Sequence, residues 1–141
     1  MKTSLLSGLL AILLIACSNS RNAASSNQYD LDGDWQLTTI ERQSAESISR
    51  GKAPFIKIDS KSSRISGSTG CNSFSAPLKL DGTVVDLKQA FMMTKMYCEG
   101  VDESRFMNTL ERGTKFNFIN ENTLQLKSGD SLLMEFSRLL K

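Results

Sequence analysis

The sequence predicts an α+β fold, mainly antiparallel β, in which a curled sheet or open barrel packs against one helix. Three observations carry this prediction. Short runs of β-forming residues with period-two alternation recur from Trp35 to Phe136, each bounded by turn-forming Gly, Asn, Asp or Ser. Only Asp102 to Arg112 has helical spacing. About seven to eight short strands against one helix suits an antiparallel sheet that curls rather than repeated βαβ units.

Trp35, Leu37, Thr39 and Glu41 alternate with Gln36, Thr38 and Ile40, which predicts a first strand with Trp35 pointing inward. Phe55, Lys57 and Asp59 alternate with Ile56 and Ile58 to give a second. The polar stretch Ser60 to Ser63 then turns the chain into Arg64, Ile65 and Ser66, so the two runs form a hairpin. Gly67 and Gly70 bracket the approach to Cys71, Asn72, Ser73 and Phe74, where glycines this close to a strand end suggest bulges or positive φ. The pair Asp81-Gly82, between Leu78 and Leu80 on one side and Val84, Val85 and Leu87 on the other, is a hairpin signal. In the helix Phe106 and Leu110 lie four apart with Met107 adjacent, Asp102 and Glu103 complement the dipole at its start, and Gly113 stops it. Phe116 to Ile119, Leu124 to Leu126 and Leu132 to Phe136 complete the strands, separated by turn residues at Asn120 to Asn122 and Ser128 to Asp130.

This domain, residues 31–141, is preceded by two segments of different character. Residues 1–16 read as a signal peptide: Lys2 is a positive start, Leu5 to Ile15 an apolar stretch too short to span a bilayer, and Ala16 a small residue before Cys17. Leu14-Ile15-Ala16-Cys17 resembles the lipobox of bacterial lipoprotein precursors, which implies lipid attachment at Cys17 and a membrane partner reached through that anchor. Ser18, in place of the aspartate that retains proteobacterial lipoproteins at the inner membrane, implies the outer membrane, with the domain facing the periplasm. Residues 17–30, mostly Ser, Asn and Ala, form a flexible tether.

Composition removes several functions. The chain has no histidine and a net charge of +2 with acids and bases interspersed. Ser-His-Asp and Cys-His catalysis and ordinary zinc sites are thereby disfavoured, and no clustered basic face suggests nucleic acid. Asp30, Asp32, Asp34 and Glu41 match positions one, three, five and twelve of a calcium loop, but Trp35 stands where that loop turns on glycine. The expectation is therefore no metal, no cofactor and no enzyme.

With Cys17 acylated, Cys71 and Cys98 remain as an even pair in an oxidising compartment. They form either a disulfide closing a loop of about 28 residues or two buried thiols. Glu99, Asp102 and Glu103 read as caps and dipole partners of the helix rather than as paired acid-base groups. Asn72 reads as bonding the backbone of its own turn, with ligand contact as the alternative. Met92, Met93, Met96 and Met107, around Phe91, Tyr97 and Phe106, pack a core or line an adaptable groove for a lipid tail or amphipathic peptide. On the sharper reading Asn72, Met96 and Tyr97 face a ligand.

Three patterns in order resemble the META domain family, which includes the HslJ-like heat-shock lipoproteins: Asp34-Trp35-Gln36-Leu37, the run from Gly67 to Phe74, and Thr94-Lys95-Met96-Tyr97-Cys98. Ala76 and Pro77 depart from the glycine and aromatic usual in that family. The resemblance implies an envelope location, no established catalysis and a link to stress. The reading is a non-enzymatic envelope lipoprotein, a stress-related module that binds an envelope protein or an apolar ligand. The alternative is a pilotin-like assembly factor gripping a peptide or lipid tail.

Overall fold

A computed structural model describes residues 29–140. The signal peptide, Cys17 and the tether through residue 28 lie outside the described residues. Eleven strands form one sheet: β1 (Gly33–Ile40), β2 (Gln43–Ser44), β3 (Phe55–Asp59), β4 (Arg64–Ser68), β5 (Ser73–Pro77), β6 (Lys79–Asp81), β7 (Val84–Asp86), β8 (Met92–Met93), β9 (Lys115–Asn120), β10 (Thr123–Ser128) and β11 (Ser131–Arg138). Helix α1 (Glu103–Glu111) lies between β8 and β9, and a 3-10 turn spans Ala45–Ser47. Every strand pair is antiparallel, in the order β6-β7-β9-β10-β11-β1-β3-β4-β5-β8, with β2 paired to β1. The sheet curls around a single apolar core fed from both ends of this order, Val85 on β7 and Phe74 on β5 included. The fold is the predicted α+β one, a curled, mainly antiparallel sheet with, among the described residues, one α-helix.

The two central strands set the core. Trp35 and Leu37 point inward, as the alternation requires, but the β1–β11 register shifts between Leu37 and Thr39. This bulge places Ile40 rather than Thr39 inside, which period-two counting cannot foresee. Opposite lie Met134 and Phe136 of β11 and Leu124 and Leu126 of β10, all buried. Helix α1 buries Phe106, Met107, Thr109 and Leu110. Burying the Phe106 and Leu110 side chains contributes about 1.5–3 kcal/mol each. Asp102 is its N-cap, its side chain accepting from Arg105 N at 3.0 Å.

The hairpins β3–β4 and β6–β7 form where the turn residues indicated, with Gly82 at φ +59°. Gly67 is needed for a different reason than positive φ. It sits within β4, where a Cβ would lie 2.1 Å from Phe55 O, so only glycine lets β4 approach β3. The methionines divide: Met107 is core, whereas Met92 and Met96 are exposed.

The β1–β2 turn was not visible in the sequence. Glu41 (φ 48°) and Arg42 (φ 65°) both take left-handed backbone, a two-residue turn that usually demands Asn or Gly. Glu41 is tied down from α1: its Oε2 accepts from Arg105 Nε at 3.2 Å, and its Oε1 accepts from Arg112 Nη2. The twelfth position of the calcium template is thus an anchor for the helix. Asp32 likewise accepts from Ser60 N and Oγ, both at 2.8 Å. The Arg112 hydrogen bond, opposed by desolvation and helped by Arg105, holds the Glu41 carboxyl below its ordinary value of 4.5. A depressed carboxyl stabilises the fold above the ordinary glutamate range, and that stability disappears as pH falls through the folded value. Thermal melts from pH 7 to pH 3 should therefore show a smaller acid-induced loss in Glu41→Gln than in wild type. The difference should be at most about 1 kcal/mol, because the ion pairs are partly exposed.

At the start of the described chain, Tyr29 and Asp30, read as the end of the tether, touch the domain. The Tyr29 ring lies 5.4 Å from that of Phe118, and Arg138 donates to Asp30 O and, at 3.0 Å, to Asp32 O. The Arg138 guanidinium also stacks over Trp35 at 4.1 Å. This clamp occupies one end of the strands. Gly33 pairs with Ile58 and Trp35 with Arg138 at this end, whereas Phe55 pairs with Ser68 and Ser68 with Ser73 at the other.

Candidate functional site

The end of the strands opposite the clamp is closed by the turn from β4 to β5. Gly70 turns it at φ +93°, and a Cβ there would meet Ser49 Oγ at 2.3 Å and Lys52 O at 2.7 Å. Within the turn Thr69 N donates to Asn72 O at 2.9 Å, and Asn72 N donates to Thr69 Oγ1 at 2.9 Å. This reciprocal pair leaves the Asn72 side chain free to reach another segment.

It reaches the stretch between β8 and α1. Asn72 Oδ1 accepts from Thr94 Oγ1 at 2.7 Å and from Met96 N at 2.8 Å, while Nδ2 donates to Met96 O and to Glu103 Oε2, both at 2.9 Å. All four hydrogen-bonding positions of the amide are filled, and the residue is buried. Asn72 therefore departs from the reading that it bonds the backbone of its own turn: its side chain bonds a distant segment instead. Thr69 Oγ1 donates to the same Glu103 Oε2 at 2.7 Å.

Of the three acidic residues at this junction, Asp102 is the cap described above and Glu99 is exposed. Glu103 stands in the first turn of α1 as its position suggested, but it also joins that turn to Thr69 and Asn72.

Cys71 and Cys98 are joined by a disulfide, with Cα atoms 5.9 Å apart, ordinary for a bridged pair. The bridge resolves the choice between disulfide and buried thiols. Residues 94–96 are thus held by Asn72. At the other side of the loop, Asp102 N donates to Ile48 O at 2.7 Å and Val101 bridges to Ser49. Tyr97, Cys98 and Glu99 hang between these two attachments, fastened by the bridge.

A cavity of about 140 Å³ opens beside the disulfide, walled by Met96, Tyr97 and Val101, with Asn72 and Glu103 as its polar lining. Met96 is 61% exposed and Tyr97 92%. Of the three residues expected to face a ligand, Met96 and Tyr97 therefore present side chains at the surface, and Asn72 positions them. The sequence reading missed Thr69, Thr94 and the bonding role of Glu103. Only the Thr69-x-x-Asn72 spacing, suited to a side chain capping its own turn, carried a local signal.

A curled antiparallel sheet, one helix across it and a disulfide tying the β4–β5 turn to the approach to that helix define a class of small α+β domains. The chain belongs to the META domain family, whose profile matches residues 28–139. Among solved structures it resembles a protein determined by NMR, at 25% identity and TM-score 0.56 over 74% of this chain and 88% of that one. A second NMR structure, of a protein from Burkholderia xenovorans, matches at 20% identity and TM-score 0.58, covering 78% and 83%. The crystal structure of a DUF4847 family protein from Bacteroides vulgatus shares the fold at 13% identity and TM-score 0.55, covering 75% and 92%. No match was found among curated proteins.

Proposed function

We propose that this META domain protein is a lipid-anchored envelope lipoprotein that works as a binding module rather than as an enzyme, with the disulfide end of the sheet as its recognition surface. The observation that carries this reading is the division of the three cysteines. Cys71 and Cys98 are bonded to each other, as suits an oxidising compartment, and the remaining Cys17 stands directly after an apolar signal stretch in a lipobox-like setting. Acyl chains on that cysteine anchor the domain at the outer membrane, facing the periplasm. The site suits binding because Met96 and Tyr97 offer adaptable and amphipathic surface beside the polar lining of Asn72 and Glu103. The stress association implied by the family resemblance belongs to the same proposal.

The test is metabolic labelling with palmitate in a Gram-negative host. Wild-type protein should carry label and fractionate with outer membranes, and Cys17→Ala should lose both; label persisting in the variant would overturn the lipoprotein reading. Cross-linking from Tyr97 in the same cells should capture the partner. Capture of a secretion pore component would favour the pilotin-like role instead.

A further inference from the structure

We propose that the cavity beside the disulfide takes a cationic side chain, lysine or arginine, of a soluble polypeptide. This rests on the binding-module reading above and specifies its ligand. The charge of the lining is one-sided: Glu103 is its single charged side chain, and no Lys or Arg lines the cavity. Arg105 of α1 and Arg112 at its C-cap are engaged by Glu41. The Glu103 carboxylate is oriented by two bonds on Oε2, and among the described residues Oε1 accepts none. Around it stand surfaces for the rest of such a side chain. The exposed ring of Tyr97 suits a cation at its face, and the thioether of Met96 suits an aliphatic stem. A volume of about 140 Å³ admits one long side chain and falls below the size of sites that enclose a whole small-molecule ligand.

The geometry of attachment selects a polypeptide over lipid. The tether enters at Tyr29, at the Arg138 clamp, and the cavity lies at the opposite end of the strands. The strands alone separate the two ends by about 13 Å, with loops beyond at each end. The anchor thus favours an orientation with the clamp toward the bilayer and the cavity away from it, toward soluble partners.

The experiment uses the mature-length chain carrying Cys17→Ser, so that its outcome does not depend on lipidation. NMR of the methionine methyl and tyrosine ring signals follows titration with N-acetyl-lysine methylamide, its neutral counterpart N-acetyl-norleucine methylamide, n-butylamine, and vesicles of phosphatidylethanolamine. Met96 and Tyr97 should respond to the lysine derivative with an affinity on the order of millimolar, as one side chain can supply. Glu103→Gln, which keeps the shape and a carbonyl acceptor for Thr69 and Asn72, should weaken binding about tenfold. Tyr97→Ala, at an exposed position that leaves the fold intact, should weaken it about threefold. Equal binding of the norleucine derivative, or cation binding unchanged in Glu103→Gln, overturns the cationic assignment while leaving the binding surface standing. Tighter binding of butylamine, or equal or tighter binding of the vesicles, overturns the polypeptide assignment. No response of Met96 or Tyr97 to any of the four overturns both this proposal and the recognition surface.

Discussion

Asn72→Ala is expected to destabilise the domain by about 3 kcal/mol and to lower its melting temperature by roughly 10–15 °C in calorimetry. The expectation follows from what the truncation strands. Met96 N and O, Thr94 Oγ1 and one of the two bonds on Glu103 lose their partner together, in a place where the asparagine is buried. Neutral hydrogen bonds contribute about 1 kcal/mol each, but unsatisfied groups left behind cost more, and bonds sharing one amide strengthen one another. Part of the loss is returned because water can reach the 94–96 segment, which is why the figure stays below the sum. Asn72→Asp separates hydrogen bonding from shape. It preserves the two acceptor positions but sets a second carboxylate against Glu103, so this variant should gain stability as pH falls through the carboxylate range, opposite in slope to the Glu41 contribution. A melting temperature for Asn72→Ala within 3 °C of wild type would show that the network is not what holds this end of the sheet.

The second large effect is loss of the bridge. Cys71→Ala/Cys98→Ala should cost about 3.5 kcal/mol, the loop-closure entropy for residues 27 apart in sequence. Its structural consequence should be local. Hydrogen exchange should accelerate most in Tyr97, Cys98 and Glu99, which open locally, whereas β1 and β11 should accelerate only by the factor that the loss of global stability sets, because residues 94–96 and 101–102 keep their own attachments. Asn72 and the disulfide restrain the same loop, so the two changes should not add. In a double-mutant cycle the triple variant should lose more than the sum, since each restraint partly holds the loop when the other is gone. Exchange in β1 and β11 as fast as in Tyr97, Cys98 and Glu99 on removal of the bridge would mean that the disulfide, rather than the core, keeps the sheet closed.

These effects concern what was hardest to read in the sequence. The strand and helix pattern was legible because it is local: Trp35 and Leu37, the Ile56–Ile58 alternation, the Asp81-Gly82 turn and the Phe106–Leu110 spacing each declare themselves within a few residues. The cysteine pair was legible by counting. The bulge in β1 was not, because it is a property of pairing with β11, and neither was the β1–β2 turn, whose left-handed Glu41 and Arg42 are sustained by charges on a helix more than sixty residues away. Asn72 marks the limit most clearly. Its position between Cys71 and Ser73 pointed to the turn it belongs to, whereas its four side-chain bonds connect segments more than twenty residues apart. Met92 and Met96 share their residue type with the buried Met107, so hydrophobicity alone could not separate surface from core.

The clamp at Tyr29 and Arg138 has a mechanical consequence. The chain enters the sheet through β1, which lies in its interior between β3 and β11 rather than at an edge. A pull transmitted through the preceding segment runs along the β1 axis, perpendicular to its hydrogen bonds, so the bonds to both neighbours are sheared together instead of unzipping one after another. Arg138 fastens the last turn before that strand to the end of β11, so the load is shared before it reaches the first pair. Force applied at the N-terminal side of the domain therefore loads the sheet in shear rather than by peeling an edge strand.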